Sequence, residues 1–476
     1  METILALPRF YFGFRERVGR RQYLLAGVVL MAVKYAVDAA VIWGATRQPW
    51  TPADYLLPLM TIRAEKVEAL PPGLAAAMVA WTLPFVWVGV SMTLRRAVDA
   101  GRSPWLCLLF FVPVVNYLLF LWLAALPSAS GAAEWDASPV AASVADRWRS
   151  ALLAVAASVG VGAASVLLGA VVMQTYGVAL FLAAPFVLGL FAAYIHNRGH
   201  PRTAADTSNV VTLSLFVVGG TLILFALEGL LCVAMAFPLA LVPALLGGGV
   251  GRAVAVRARV RPGTTAYALL LLPTAALADH SAPPPRLYEA RTSIVIEAPP
   301  ERVWENVIAF HDITADPGLP FRLGIAYPIR ARIVGSGVGA VRYCEFSTGP
   351  FVEPVTTWDA PRRLGFDVAE QPAALREWSP YRTVYAPHVK GFFRSARGEF
   401  LLVELAGGRT RLEGSTWYTL DVHPHAYWRP IAEWLLTGIH TRVLQQVKRE
   451  TESALPAAGG GSGSIEIDRR MEESGR

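Results

Sequence analysis

Few residues in this 476-residue chain stand at spacings that chemistry requires. Lys34 and Asp38 lie four apart inside an apolar run, so a helix places ammonium and carboxylate on one face, where they neutralise each other. A buried pair of this kind marks a transport path or serves as a structural clasp, and the clasp is the expectation here. His196 and His200, in H-N-R-G-H, have a possible ligand spacing. No cysteine or carboxylate sits close by in sequence, so a solvated cytoplasmic loop is expected rather than a metal centre. Cys344 and His388 supply a thiol and a base, yet no spacing supports a dyad, and a buried structural thiol is expected. Gly335, Gly337 and Gly339 form a turn, since no helix signal follows to make a dinucleotide loop. His423 and His425 flank a proline at the entry to the last helix. There is no G-x-S-x-G and no phosphate loop. Neither a catalytic set nor a metal or cofactor site is expected.

The elements that must carry these residues are of two kinds. A hydrophobic fraction of 54% with only 17% charged residues exceeds what a soluble chain tolerates, so a polytopic membrane protein is expected. The formal charge of +7 resides partly in arginines beside apolar runs, where they set topology and do not form a nucleic-acid surface. Three cysteines, Cys107 and Cys232 in apolar runs and Cys344 downstream, leave no disulfide pair in the charged half.

The first apolar run covers 23–45 and follows Arg9, Arg15, Arg17, Arg20 and Arg21, which hold the N-terminus in the cytoplasm. A second run, 74–94, ends at Arg95, Arg96 and Arg102. Two motifs flank this pair: F-R-x-R-x-G-R-R-x-Y (Phe14, Arg15, Arg17, Gly19, Arg20, Arg21, Tyr23) and R-R-x-x-D-A-G-R-S-x-W (Arg95, Arg96, Asp99, Ala100, Gly101, Arg102, Ser103, Trp105). In them the chain resembles, over roughly 8–130, the bacterial inner-membrane family called "domain of unknown function 805", which has no settled activity to lend. Glu16, Ala97, Val98 and Pro104 depart from that family's pattern.

The run 105–126 is interrupted by Pro113 and Asn116, and a re-entrant hairpin is expected. A full crossing would put two basic loops, 196–209 and 252–261, outside the cell. Runs at 151–173, 176–194, 210–226 and 230–250 follow as two hairpins, with Glu228 and Gly229 as the turn of the second. Small residues in the first suit close helix packing in lipid. The stretch 252–285 then gives four arginines, a short apolar core over 266–278 and an Ala-Leu-Ala-Asp exit, the order of an export signal. It is expected to cross last, although so short a segment also suits an interfacial position.

From residue 286 the pattern alternates. A strand at 291–298, a short amphipathic helix at 301–310, strands at 329–334, 339–346, 351–358, 363–368, 397–405 and 409–420, and a long helix over 428–451 are expected. The opening TSIVIEAPPERVWENV and the close RTRLEGSTWYTL resemble the START-like superfamily, also called SRPBCC or polyketide cyclase-like, over about 290–455. The fold class that follows is an all-α polytopic membrane region and then an α+β helix-grip domain with a curved antiparallel sheet and a long C-terminal helix. The division expected is 1–130, 131–285, 286–456 and a disordered tail at 457–476.

In such a fold the long helix closes the sheet into a cavity, which suits a lipid or other hydrophobic small molecule. The wall candidates are Trp304, Phe310, Tyr327, Tyr343, Phe346, Trp358, Tyr381, Tyr385, Phe392, Trp417, Tyr418 and Trp434, and the polar ones are Arg330, Arg332, Glu345, Glu353 and His388. The expectation is an inner-membrane protein, more a binding protein than an enzyme, presenting this domain to the periplasm. Its partners are the lipid bilayer and a hydrophobic ligand, not nucleic acid. Two alternatives stand beside it: a cyclase- or hydratase-like enzyme using Glu345, Glu353 or His388, and a structural partner of a membrane complex.

Overall fold

The structure, a computed structural model, describes residues 10–14, 16–56, 66, 70–111, 114–129, 144–172, 176–257, 271–280, 286–381 and 391–453. Among them are six helices long and apolar enough to cross a membrane, spanning Arg20–Thr46, Gly73–Asp99, Val144–Gly169, Ala179–Asn197, Ala204–Leu224 and Leu230–Val256. The region is named here as α1 (Arg20–Thr46), α2 (Pro72–Asp99), α3 (Val115–Ala125), α4 (Val144–Val166), α5 (Ala184–Asn197), α6 (Ala204–Leu224), α7 (Leu230–Arg257) and α8 (Leu271–His280). A π-helical turn, Ala179–Ala183, leads into α5.

The run 105–126 divides into a 3-10 helix, Pro104–Phe111, and α3. Eleven helical residues rise only ~16 Å, about half of a ~30 Å apolar layer. The far end of this segment is held at the C-terminal end of α2. Arg96 donates from Nε to the Leu123 carbonyl at 3.0 Å, from Nη2 to the Leu126 carbonyl, and pairs through Nη1 with Asp99. Asp99 also accepts from Ser128 Oγ. Arg95 reaches the other way, giving Nη2 to the Phe10 carbonyl at 2.6 Å, while Ser91 and Trp87 bond the carbonyls of Gly13 and Phe12. Arg95 and Arg96, expected as topology-setting charges, are instead fully buried. A guanidinium carries five donors in a fixed fork, which suits it to gather the loose carbonyls of three chain segments.

Lys34 and Asp38 form the expected ion pair, and Tyr55 adds its hydroxyl to Asp38 at 2.5 Å. His196 departs from its expected solvated loop. It is buried on the last turn of α5, with Nδ1 3.0 Å from Ser150 Oγ. The tightest helix contact joins α5 to α7: a Cβ at Gly247 or Gly251 would strike the backbone of Phe186 or Leu190. Only glycine lets two backbones meet so closely, the usual device for helix association in lipid.

Of the expected last crossing, 266–278, residues 266–270 fall outside the described residues, as does the tail 457–476, while 271–278 lie in α8, a helix of 10 residues that rises only ~15 Å. The two ends of the stretch are nonetheless placed. Arg252 Nε donates to the Arg202 carbonyl at 2.9 Å, near the loop that follows α5. Asp279, at the end of α8, accepts from the backbone N–H groups of Val178 and Ala179, both at 2.8 Å, at the start of the same helical run. The span Ala179–Asn197 is 19 residues, ~28 Å of helix. Arg252 and Asp279 therefore lie at opposite ends of this helical run.

The second half builds one antiparallel sheet in the order β1-β7-β6-β5-β4-β3-β2, with β1 Leu287–Ile296, β2 Pro328–Val334, β3 Val341–Phe346, β4 Gly349–Asp359, β5 Arg363–Asp367, β6 Phe393–Leu405 and β7 Arg409–Leu420. Helix α9 (Pro300–Ile308) fills the connection from β1 to β2, and α10 (His425–Ser453) lies across β1, β7 and β2. Register shifts in β2, β4 and β6 interrupt the ladders, and such bulges add the bend a curved sheet needs. Ile296, Val303, Val307, Leu364, Leu412, Leu444 and Val447 form a core between sheet, α9 and α10, each at most 1% exposed. This is the helix-grip arrangement expected from the sequence.

Candidate functional site

One cavity of about 380 Å³ runs from inside the curved sheet into the helix bundle. Its upper walls follow from strand alternation. On β3 the side chains of Arg342, Cys344 and Phe346 line it, and on β4 those of Phe351 and Glu353. Phe366 and Phe400 add rings from β5 and β6. The stripe Ile431, Leu435, Ile439 and Val443 of α10, which repeats every four residues, closes the opposite side. The lower walls come from the membrane helices: Val166 of α4, Leu188 of α5, Val218 and Leu222 of α6, and Cys232 and Phe237 of α7.

The two halves are joined around this cavity by hydrogen bonds to helix ends. Glu377 caps α7, accepting from the N–H groups of Leu231 at 3.0 Å and Cys232 at 3.2 Å, and Leu230 N–H donates to the Trp378 carbonyl at 3.0 Å. A carboxylate there satisfies orphan donors and meets the positive end of the helix dipole. Tyr381 and Tyr427 donate to the Leu224 and Met235 carbonyls at 2.5 and 2.7 Å. His423 N–H donates to the Tyr176 carbonyl at 2.8 Å, and Tyr176 packs edge-on against Phe392 with ring centroids 5.0 Å apart.

At this neck stands Glu228, buried and accepting from the Tyr176 hydroxyl at 3.1 Å. It does occupy the turn between α6 and α7, as expected, but it also lines the cavity. Burial, with the nearby Glu377 charge adding to it and the Tyr176 bond opposing, pushes its carboxyl up to about 8. Burial thus favours the protonated form of this one carboxyl at neutral pH.

Deeper in the sheet, Arg342 and Glu353 face each other across the β3–β4 register and form a buried ion pair. The rings of Phe366, Phe400 and Phe310 surround the guanidinium at 5.3, 5.5 and 5.8 Å. Burial drives the Glu353 carboxyl above its ordinary range, and Arg342 opposes that shift. His440 is held at both ring nitrogens, by Thr292 at 3.2 Å and Thr416 at 2.8 Å, and burial lowers it to about 4. Burial raises the Cys344 thiol to about 12, which makes it a poor nucleophile. These groups are engaged with one another rather than poised as an acid–base relay.

Of the wall candidates, Phe346 and Phe392 line the cavity, as does Glu353 among the polar ones. Tyr343 and Glu345 alternate to the outer face of β3. There Tyr343 stacks under Arg332, and Glu345 pairs with Arg330 and Arg332, whose hydrogen bonds and charges hold its carboxyl low. Trp304 is buried in the core, its ring edge-on to Trp358, and Phe310 packs behind Arg342. Tyr327 lies beneath the Arg442 guanidinium, and Trp417 points outward against Arg397. Tyr418 is buried between Tyr288 and Phe393. Trp434 is 62% exposed on the outside of α10, and Tyr381 is spent on the junction. Tyr385 and His388 lie outside the described residues. The sequence reading missed Arg342, Phe351, Phe366 and Phe400, and the whole membrane wall. The signals present were strand parity and Glu228, a carboxylate stranded between two apolar runs.

The profile of the family "Protein of unknown function (DUF805)" matches residues 11–137, and no curated protein matches the chain. Several solved structures are similar to the second half. The ZhuI aromatase/cyclase from Streptomyces sp. R1128 is 16% identical, covering 37% of this chain and 100% of its own, with a TM-score of 0.25. Norcoclaurine synthase from Thalictrum flavum is 12% identical over 36% of this chain and 98% of its own, at 0.23. A protein from Nitrosospira multiformis is 20% identical over 35% and 99%, also at 0.23.

Proposed function

We propose that this protein is a multi-pass inner-membrane protein whose START-like domain binds a lipid or other hydrophobic small molecule taken directly from the bilayer. The observation that carries the reading is a continuous cavity walled both by the sheet and α10 and by the four helices α4 to α7. Its size lies in the ~300–1,000 Å³ range of small-molecule sites, and its lining is mostly apolar with few polar groups. A cavity confined to the domain would serve a soluble ligand equally well; one that continues between membrane helices suits a ligand dissolved in lipid.

The orientation proposed is periplasmic. Arg147, Arg198, Arg202 and Arg252 gather at the end of the bundle opposite the domain, as the bonds Arg147 to Asp206 and Arg252 to Arg202 indicate. Basic residues of short loops stay in the cytoplasm, which leaves the domain outside.

The test is binding of the apolar fluorophore N-phenyl-1-naphthylamine to the full chain in lipid nanodiscs. Leu435→Trp and Ile439→Trp each fill the upper chamber from α10, and each should weaken the probe about tenfold or more, the loss of ~1.4 kcal/mol or more of burial. Undiminished binding in both variants, with the fold intact, would refute the site.

A further inference from the structure

The two ends of the cavity differ in chemistry. At the membrane end the lining includes Gly162, Val166, Leu215, Gly219, Phe237 and Ala240. The one hydroxyl among its lining residues, Ser165, is already given to the Val161 carbonyl at 2.8 Å. From Cys232 at the neck to Ala240 is eight residues of α7, so this chamber reaches ~12 Å below the junction. At the sheet end the polar groups are mostly paired with one another: Thr416 with His440, and Gln371 with the Phe393 carbonyl and the Ser395 N–H. Among the described lining residues two buried donors lack an acceptor, Trp428 Nε1 near the junction and, at the sheet end, Arg342 Nε. Arg342 is 2% exposed, its Nη1 is engaged by Glu353, and among the described residues its Nε–H has no acceptor. A buried donor without an acceptor is costly, and a ligand that supplies the acceptor removes that cost.

We infer that the ligand is a single-chain amphiphile that straddles the junction, with an uncharged hydrogen-bond-accepting head at Arg342 and its chain running down past Glu228 between α4, α6 and α7. This rests on the proposed binding function and adds class, direction and extent. The head is uncharged because Glu353 already offsets the guanidinium; a ligand carboxylate would put a second anion beside one buried cation. The neck favours an apolar chain for the same reason, since Glu228 sits there buried beside the Tyr176 hydroxyl. The helix bundle, not the sheet domain, then sets how long a chain is accepted.

The experiment is displacement of N-phenyl-1-naphthylamine from the full chain in nanodiscs by saturated methyl esters, from methyl octanoate to methyl stearate. Matched n-alkanes and free fatty acids run beside them. Ester affinity should rise roughly fourfold per methylene, the effect of ~0.8 kcal/mol each, until the chamber is full. Ala240→Phe, with Ala236→Phe as the second variant, should lower that length limit while leaving shorter esters within twofold. Arg342→Met combined with Glu353→Met should cost every ester about five- to tenfold and the alkanes nothing. A length limit unmoved by both alanine substitutions would place the chain wholly in the sheet domain and overturn the straddling pose. Equal affinities of esters and alkanes in the unaltered protein would overturn the head site, and free acids binding more tightly than esters at pH 9 would overturn its neutrality. Displacement by none of the probes would instead defeat the underlying binding function.

Discussion

Removing the arginine of the buried pair should destabilise the domain far more than removing both partners. Arg342 is 2% exposed and Glu353 6%, so little solvent reaches either group to compensate a lost partner. Arg342→Met leaves the Glu353 carboxylate facing Phe366 and Phe400, a change of the kind that costs about 3–5 kcal/mol. For a domain of this size, about 1 kcal/mol moves the midpoint by ~2–4 °C, so the single variant should melt roughly 6–20 °C lower. Replacing both by methionine keeps the volume, removes both desolvation costs and should return the midpoint to within a few degrees of the original. The assay is thermal unfolding of the full chain in detergent at pH 7, followed by intrinsic tryptophan fluorescence. The coupling between the two substitutions is then the measured quantity. If the double variant melts as low as the single, the pair is itself a net source of stability and the reasoning fails.

Three further outcomes follow from other contacts. Glu228 has its carboxyl raised by burial to about 8 against an ordinary 4.5, so the fold holds its proton where the unfolded chain has lost it. Stability should therefore fall as pH rises from about 4.5 to about 8 and level off above, and Glu228→Gln should flatten that part of a melting profile. Arg96→Met should leave the carbonyls of Leu123 and Leu126 without their donor and free the end of α3, by about 2–5 kcal/mol; limited proteolysis at the 126–129 end should become faster, and an unchanged rate would count against the clamp. For orientation, alkaline phosphatase fused after Pro285 should be active and the same enzyme fused at Arg259 silent; the reverse pattern would invert the assignment.

Much of the second half was legible because turns and alternation are local. The pair Gly407 and Gly408 marks the β6–β7 turn, and the α10 stripe at Ile431, Leu435, Ile439 and Val443 names its own inward face. What could not be read was the sense of the alternation in β3. Hydrophobicity argues for Tyr343 inward and Arg342 outward, and the fold does the opposite, because Glu353 on the neighbouring strand makes a buried arginine tolerable. That compensation depends on cross-strand register, which no local pattern specifies. Trp434 misled for the converse reason, since a large aromatic was assumed to seek the interior while its neighbours Ala432 and Leu435 do so. In the membrane half the arginines were legible as markers of one end of the bundle. Their burial against carbonyls was not, because it requires three distant segments to meet.

The short span from α8 to β1 has a consequence for how the domain is held. Asp279 is anchored on Val178 and Ala179, and from His280 to Leu287 is seven residues, at most ~25 Å of extended chain. On so short a leash the domain faces its docking site at a local concentration in the millimolar range. The handful of bonds through Glu377, Tyr381 and Tyr427, each modest alone, need only a millimolar intrinsic affinity to keep the interface closed. Any opening is then a brief local excursion followed by re-seating, and its frequency is independent of how many copies the membrane carries. Severed between His280 and Leu287, the same two surfaces would drift apart at the concentrations of an ordinary assay.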